Sequence, residues 1–383
     1  MPWKETYVMD EKINLISDWL SEDYSITDLG ERYCVSRKTV YKWIERYKGM
    51  GIDGLKDKSS TPLTSPRATP LNTVSYILSA KSKHPKWGPR KLIAWLKNQY
   101  PEKKWPVAST AQSILKREGW VKTRYRRRHT PPYPEPFINS KEANDVWCAD
   151  FKGQFRLGEG KLCYPLTLTD SFSRYLLLCH GLYRPTFINT KEQLELVFRE
   201  HGLPKAIRTD NGAPFASVAL GGLSSLAVWF IKLGITPERI EPGKPEQNGR
   251  HERFHRTLKE ATLNPPRYSL FEQQRIFDRF KQEYNNERPH EAQEQRPPAS
   301  AYHCSAREYP PNLSEISYED SCVIRQVRIG GPIKWKGELI YVSKALVGEP
   351  VGLKQACDQL WRVYYSFYPL GILDEGLGKI IPL

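Results

Sequence analysis

Apolar residues near the start of the chain recur every three or four positions, which is the spacing of amphipathic helices. Helices are predicted over residues 10–21, around Ile26 and Leu29, and after Ser36, a side chain suited to capping the third helix. That helix is apolar inside and basic outside. Two short helices joined by a tight turn, the second of them basic, are typical of a helix-turn-helix unit, which we place at residues 1–55.

A second helical region follows a linker at residues 56–70, which is rich in Lys, Ser, Thr and Pro. We assign residues 71–130 to a second helix-turn-helix or winged-helix domain with a basic tail, followed by a Pro-rich linker at 131–140. Ser109 is positioned to cap the last helix of this domain. The helices are predicted near residues 73–82, 89–99 and 109–118.

The pattern changes to short apolar runs over residues 141–305, where strands come first and then alternate with helices. This order predicts an α/β domain with a mixed five-stranded sheet. The predicted strands are 145–157, 161–171, 174–182, a short run ending at Asp210, and 235–240; the predicted helices are 187–201, 223–233 and 246–262.

Residues 315–383 show short runs of β-branched and aromatic residues, separated by Gly and Pro. We expect a small β-barrel or sandwich there, and we favour the barrel. The predicted architecture is therefore multidomain: all-α helix-turn-helix domains, an α/β core and a C-terminal β-barrel.

The excess of positive charge on the chain suggests a class of binding partner. The net charge is +15, and from Lys116 to His129 seven Lys or Arg residues stand against one Glu. A solvated charged face accounts for such a tract by itself, but beside helix-turn-helix patterns it favours contact with nucleic-acid phosphates. Seven cysteines lack the close pairing of a zinc knuckle, and we expect reduced thiols and a cytoplasmic, nucleoid-associated protein. No run of residues predicts a membrane span or a signal peptide.

Three carboxylates have unusual surroundings. Asp150 interrupts an apolar strand, Asp210 ends a strand before Asn-Gly, and Glu252 lies on a basic helix. Asp145 and Asp170 are competing candidates, although Asp170 occupies a turn where capping explains it better. Carboxylates brought together repel one another, and hard divalent cations such as Mg²⁺ relieve that repulsion. Two such ions can stabilise both the attacking and the leaving oxygen in displacement at phosphorus.

These residues lie in segments that resemble the integrase core of retroviral integrases and insertion-sequence transposases, in its single-frame branch. The matching segments are VWCADFKGQF, IRTDNGAPFAS, PGKPEQNGRHERFHRTLKE and YNNERPHEAQEQRPPASAY. The resemblance implies a ribonuclease-H-like fold and makes Asp150, Asp210 and Glu252 the DDE catalytic and metal-binding set. The 42 positions from Asp210 to Glu252 exceed the commonest spacing, and Glu246 remains a rival for the last vertex.

The same resemblance implies two Mg²⁺ ions, replaceable by Mn²⁺, and a homo-oligomer acting on paired transposon ends. In the family, helix-turn-helix units bind terminal inverted repeats. The chemistry is hydrolysis that exposes 3′-hydroxyls, followed by attack of those hydroxyls on target DNA without a covalent protein intermediate. Double-stranded DNA is thus the expected partner, with no membrane and no small-molecule substrate.

Basic and polar residues on the predicted DNA-facing surfaces complete the candidate site. His251 and His255 are possible ligands or phosphate donors, although such histidines are more often structural or exposed. The candidate DNA contacts are Ser36, Arg37, Lys38, Thr39, Tyr41, Lys42, Arg46, Arg90, Lys116, Arg117, Lys122, Arg124, Arg126, Arg127, Arg128, Lys244, Gln247, Asn248, Arg250 and Arg253.

Two other functions compete with transposition. A catalytically silent, domesticated DNA-binding regulator explains the helix-turn-helix patterns but not the full carboxylate set. A ribonuclease or junction nuclease with the same core fold is the weaker alternative.

Overall fold

The structure is a computed structural model that describes residues 7–57, 68–121, 140–210, 212–215, 223–240, 249–313 and 315–382. The chain divides into two compact units, one ending at Ala68 and the other beginning at Thr69. Each unit is described by itself. Within the described ranges, no helix has the length and apolar character needed to cross a membrane.

The first unit is a three-helix cluster in which serine caps begin the second and third helices. Ser25 and Asp28 form a reciprocal capping box, and the Ser36 side chain accepts a hydrogen bond from the Thr39 amide, as predicted. Cys34 takes a positive φ of 53° in the turn between the last two helices. The helices are α1 (Val8–Leu20), α2 (Ile26–Arg32) and α3 (Arg37–Met50), and their buried core comprises Leu15, Ile16, Leu29, Val40, Trp43, Ile44 and Leu55.

The second unit begins with three more helices. The predicted cap of the last one is wrong: Val107 occupies the N-cap without a side-chain bond, and Ser109 lies inside the helix, where its carbonyl accepts from the Ser113 hydroxyl. Trp87 is buried and stacks on the His84 ring, which is the packing role expected of it. The helices are α4 (Leu71–Lys83), α5 (Pro89–Gln99) and α6 (Ala108–Arg117).

A mixed sheet forms the centre of the second unit. The strand order is β4-β3-β1-β5-β6, with the two-residue β2 pairing on one end of β3. β3 runs antiparallel to β1 and β4, whereas β5 runs parallel to β1 and β6. The strands are β1 (Val146–Phe151), β2 (Phe155–Arg156), β3 (Leu162–Asp170), β4 (Leu176–Leu182), β5 (Ala206–Thr209) and β6 (Thr236–Arg239).

Two apolar layers cover the two faces of this sheet. On one face, Trp147 and Ala149 of β1 pack with α7 (Phe187–His201) and α8 (Ser225–Lys232). On the other face, side chains of β3 and β4 pack with α9 (Gly249–Thr262) and α10 (Leu270–Asn286). Because side chains alternate along a strand, Asp150 points to the face that carries α9.

The second three-helix group packs on the core through α10. The His84 Nδ1 lies 3.0 Å from a carboxylate oxygen of Glu283, and the Lys83 ammonium lies 3.0 Å from that of Glu287. Glu283 and Glu287 are four residues apart at the C-terminal end of α10, so their carboxylates lie on the same side of the helix. These two contacts hold the C-terminal end of α4 against α10.

Helix α8 packs against two hydrophobic cores, because its residues 226–231 are all apolar and buried. Leu226, Trp229 and Phe230 belong to the sheet core, whereas Ala227, Val228 and Ile231 pack with the C-terminal strands. A helix that is apolar all round is stable only when it is buried on all sides. The C-terminal strands therefore cover a face of α8 that the central sheet leaves bare.

The C-terminal region is an open sheet, so the expected β-barrel is wrong. Its order is β13-β12-β11-β10-β7 with antiparallel neighbours, and β8 and β9 form a separate hairpin. The two edge strands do not pair with each other in the described chain. The strands are β7 (Val323–Gln326), β8 (Pro332–Trp335), β9 (Glu338–Tyr341), β10 (Pro350–Cys357), β11 (Leu360–Tyr365), β12 (Tyr368–Asp374) and β13 (Lys379–Ile381).

Candidate active site

Strand β1 carries Asp150 into the middle of the sheet. Asp150 lies opposite Thr167 of β3 in the antiparallel pairing, and its side chain is 14% exposed. Burial of a carboxylate at this level is costly without compensating partners. The position has the partly enclosed character expected of a ligand rather than of a solvated surface charge.

Asp210 follows the last residue of β5. The parallel register pairs Ala149 with Thr209; Asp150 is the next residue within β1, and Asp210 is the first residue after β5. Neighbouring strands lie ~4.8 Å apart, and residues at one register level share a face. One Asp210 side-chain oxygen accepts a hydrogen bond from the Gly212 amide at 3.1 Å, which forms an Asx turn.

Glu252 lies in the first turn of α9 and is exposed. His251 and His255 of the same helix are buried against the sheet. At ~100° per residue, Glu252 is about 60° around the helix from His255. His255 faces Asp150, with its Nδ1 3.8 Å from the Asp150 Oδ2. Glu252 is therefore exposed on the flank of α9, beside the buried face that carries His251 and His255. Among the described residues, the group of three whose ligand atoms lie within 4.8 Å of one another contains Asp150 but neither Asp210 nor Glu252.

Thr167 joins Asp150 to helix α9. Its hydroxyl lies 3.0 Å from the Asp150 carbonyl oxygen and 2.9 Å from the Nε2 atoms of both His251 and His255. Thr167 itself is fully buried. A buried network with every member satisfied fixes its groups in place. Here it holds the helix that carries Glu252 against the strand that carries Asp150.

Both buried histidines are neutral near pH 7. Burial lowers the pKa of His251 to about 4. Burial, together with the nearby His251 and Lys152, lowers the pKa of His255 to about 2. The contact between His255 and Asp150 is therefore not an ion pair. One ligand atom from each of Asp150, His251 and His255 lies within 4.8 Å of the others, which is close enough to share a metal ion.

The competing aspartates have structural partners. Asp170 accepts hydrogen bonds from the Asn144 amide and from the amide and hydroxyl of Ser173 at 2.6–2.9 Å, and burial raises its pKa. Asp145 accepts from the amides of residues 141 and 142 and contacts the Lys205 ammonium at 2.8 Å. Both carboxylates stabilise turns at the far end of β1.

The candidate recognition helix presents a basic face. Ser36, Arg37, Lys38, Tyr41 and Lys42 are exposed, and Thr39 and Arg46 are partly exposed. The charged groups of Lys42 and Arg46 each lie 4.9 Å from the Trp43 ring. Cation–π contacts of this kind hold long side chains in place while leaving their charge at the surface.

The other DNA-contact candidates are scattered or lie beyond the described residues. Arg90, Lys116, Arg117 and Arg253 are exposed, and Arg90 lies 3.6 Å from Glu291. For Arg250 only the backbone is described. The candidates outside the described residues are Lys122, Arg124, Arg126, Arg127, Arg128, Lys244, Gln247 and Asn248, as is the rival carboxylate Glu246.

Comparison with known families assigns a type to each part of the chain. The integrase core domain matches residues 140–245 and 233–298. A helix-turn-helix domain matches residues 11–62, and a homeodomain-like domain matches 39–115. The C-terminal domain of IS481 family transposases matches residues 322–378. The chain thus combines helix-turn-helix domains, an integrase core and an IS481-type C-terminal domain, a combination consistent with an insertion-sequence transposase. The resemblance seen in the sequence is thereby confirmed, and the C-terminal open sheet coincides with the IS481-type domain.

Two similar proteins are encoded by insertion elements. An uncharacterized 39.2 kDa protein of IS476 from Xanthomonas euvesicatoria is 28% identical over 66% of this chain and 70% of its own length. An uncharacterized 31.7 kDa protein of IS407 from Burkholderia multivorans is 31% identical over 39% of this chain and 52% of its own length. The chain also resembles viral sequences, with 34% identity to the Gag-Pol polyprotein of baboon endogenous virus over 98 residues, which are 26% of this chain and 5% of that polyprotein.

Solved integrase structures are similar only at a low level. The HTLV-2 integrase catalytic core domain in complex with magnesium is 16% identical, with a TM-score of 0.34 over 43% of this chain and 99% of that one. A simian T-cell lymphotropic virus intasome chain, in complex with PP2A regulatory subunit B56 gamma, gives a TM-score of 0.37 over 74% of this chain and 91% of its own. Neither likeness bears on the function of this chain.

Proposed function

We propose that this transposase binds the terminal inverted repeats of its insertion sequence and catalyses metal-dependent strand cleavage and strand transfer. The observation that carries the proposal is the sheet register. Ala149 of β1 pairs with Thr209 of β5, so Asp150 and Asp210 follow paired residues of adjacent parallel strands, and α9 carries Glu252 in its first turn. Carboxylate oxygens at this edge fit a hard divalent cation, with Mg²⁺ as the expected ion and Mn²⁺ as its substitute.

Asp150, Asp210 and Glu252 would hold the metal ions in this proposal. Bound there, a pair of ions supplies Lewis acidity at the scissile phosphate and lowers the pKa of the attacking water or 3′-hydroxyl. The protein's own part is positional. The Asx turn fixes Asp210, and the Thr167 network fixes Asp150 relative to α9. Arg253, exposed on α9 beside Glu252, is suited to a phosphate contact.

The helix-turn-helix regions supply binding in the proposal. We expect the basic face of α3 and the tract after α6 to contact DNA, and we expect a homo-oligomer to act on paired ends. In that arrangement the first unit reads the transposon end, and the integrase core acts on the phosphate delivered to it. The domain boundaries given from the sequence belong to this proposal.

The test combines a strand-transfer assay with an end-binding assay, using the full chain, DNA carrying the element's own ends, and Mg²⁺ or Mn²⁺. Asp150→Asn and Glu252→Gln should abolish cleavage and strand transfer, because each removes a ligand charge, and should leave end binding within about twofold. Glu260→Gln is the matched control, since Glu260 is exposed on the same helix about two turns away. Full activity of Asp150→Asn contradicts the proposal. Binding without any cleavage by the unaltered chain supports the silent regulator instead.

A further inference from the structure

The Thr167 hydroxyl determines where the protons lie on the two buried histidines. A hydroxyl carries one hydrogen and can accept two hydrogen bonds. Its contact with the Asp150 carbonyl, at 3.0 Å, uses that hydrogen, because a carbonyl oxygen can only accept. Both imidazoles must then donate from Nε2 across their 2.9 Å contacts. Each neutral ring consequently has an unprotonated Nδ1.

The Nδ1 lone pair of His255 therefore faces a carboxylate. The distance from this nitrogen to the Asp150 Oδ2 is 3.8 Å, and the His255 and Asp150 side chains are 9% and 14% exposed. In the tautomer that the Thr167 contact requires, Nδ1 carries no hydrogen and cannot donate to the carboxylate. A nitrogen lone pair and a carboxylate oxygen at this separation are complementary to a cation placed between them.

We propose that the Nδ1 of His255 is a nitrogen ligand to a divalent cation held by Asp150, so that the site favours Mn²⁺ over Mg²⁺. The inference rests on the proposed function, because it assumes that Asp150 holds the ion. Two ligands at ~2.1 Å from one ion are ~3.0 Å apart when cis and ~4.2 Å apart when trans, and the 3.8 Å separation falls between these limits. Both Mn²⁺ and Mg²⁺ bind carboxylate oxygens, but Mn²⁺ is a first-row transition-metal ion and accepts an imidazole nitrogen more readily than Mg²⁺, which keeps oxygen ligands.

His251 has a different role. It lies one helical turn before His255, its ring centre is 4.4 Å from the His255 ring centre, and it is more deeply buried. Its Nε2 donates to Thr167, and its ring packs on the edge of Phe254. His251 supports the His255 ring and is not a ligand in this proposal. It supplies the matched control.

The experiment is pulsed electron paramagnetic resonance on the full chain loaded with Mn²⁺ alone, which detects nuclei of directly bound nitrogen. The unaltered protein should show nitrogen modulation, and ¹⁵N-histidine labelling should change its frequency, without any substitution. His255→Gln should remove the modulation and lower the ratio of Mn²⁺ to Mg²⁺ affinity by at least about tenfold. His251→Gln should keep the modulation.

The outcomes separate the two proposals. Mn²⁺ that depends on Asp150, tested with Asp150→Asn, but shows only oxygen ligands overturns the nitrogen ligand and leaves the proposed function standing. Mn²⁺ binding unaffected by Asp150→Asn overturns both. If His255→Gln fails to fold, the isotope comparison on the unaltered protein still decides: an unchanged modulation on labelling refutes the inference.

Discussion

The Thr167 hydroxyl connects the strand of Asp150 to the helix of Glu252, and its removal is the most direct perturbation of the site's framework. Thr167→Val keeps the branched shape of the side chain and replaces the hydroxyl with a methyl group, which cannot form hydrogen bonds. Two buried imidazole N–H groups then lose their acceptor, and each lost partner costs about 1–3 kcal/mol. We expect the core to lose roughly 2–6 kcal/mol of unfolding free energy.

The measurement is thermal unfolding of the full chain, with hydrogen exchange across α9 as the local readout. For a domain of this size, ~3 kcal/mol lowers the midpoint by ~6–12 °C. Amides of residues 249–262 should exchange faster, because α9 is no longer held to the sheet. Thr167→Ser is the matched control: it keeps the hydroxyl, loses one methyl group, and should cost only about 1 kcal/mol.

Either of two results would refute this reasoning. If Thr167→Val unfolds within a degree or two of the unaltered protein, the hydroxyl is not the acceptor that the two histidines depend on. If Thr167→Ser is as damaging as Thr167→Val, the lost packing of the methyl group explains the effect and the hydrogen bonds do not.

Three further predictions concern pH, a tight turn and a helix cap. The pKa values of His251 and His255 are lowered in the folded state to about 4 and about 2 from the ordinary 6.5, so the unfolded chain takes up protons first as the pH falls. The free energy of unfolding should therefore be highest above pH 6.5 and fall between pH 6.5 and 4 by up to ~1.4 kcal/mol per pH unit for each histidine. Denaturant unfolding at several pH values should show that this free energy depends less steeply on pH in His251→Gln than in the unaltered protein. Gly54→Ala should destabilise the first unit by roughly 1–3 kcal/mol, because the added Cβ would lie 2.2 Å from the Arg46 carbonyl oxygen. The Cβ of Gly49→Ala meets nothing within 4 Å, and this variant should stabilise α3 by about 0.5–1 kcal/mol. Hydrogen exchange in residues 37–50 that changes in the same direction in both variants would contradict this pair of predictions. Ser36→Ala should cost about 1 kcal/mol through loss of the bond to the Thr39 amide, and Ser36→Asn should restore it; equal unfolding midpoints for all three proteins would show that the cap is unimportant.

Much of the fold follows from local patterns in the sequence. The helices of both N-terminal groups and the strands at Asp150 and before Asp210 were predictable, because each depends on spacing within one segment. Helix α10 was not among the predicted elements. Its buried positions, Gln273, Phe277, Phe280 and Tyr284, do follow a helical spacing, so the pattern that could have found it is present in the sequence.

Other features depend on contacts between distant segments. Strand-rich composition is the same for a barrel and an open sheet, and only the pairing of the edge strands distinguishes them, so the barrel prediction failed. The role of the two histidines of α9 was likewise only partly predictable from the sequence. Their i and i+4 spacing is visible in the sequence, but Thr167, 84 positions from His251, is what makes them part of the Asp150 network.

Helix α8 has a consequence for the order in which the protein matures on the ribosome. Its second apolar face is covered by strands that begin only at Val323, so it leaves the ribosome long before its cover is synthesised. During that interval the helix exposes apolar surface that favours misassembly or chaperone binding. The fold of the second unit therefore completes late, and a chain released before residue 323 would leave this face of α8 uncovered and become a substrate for quality control.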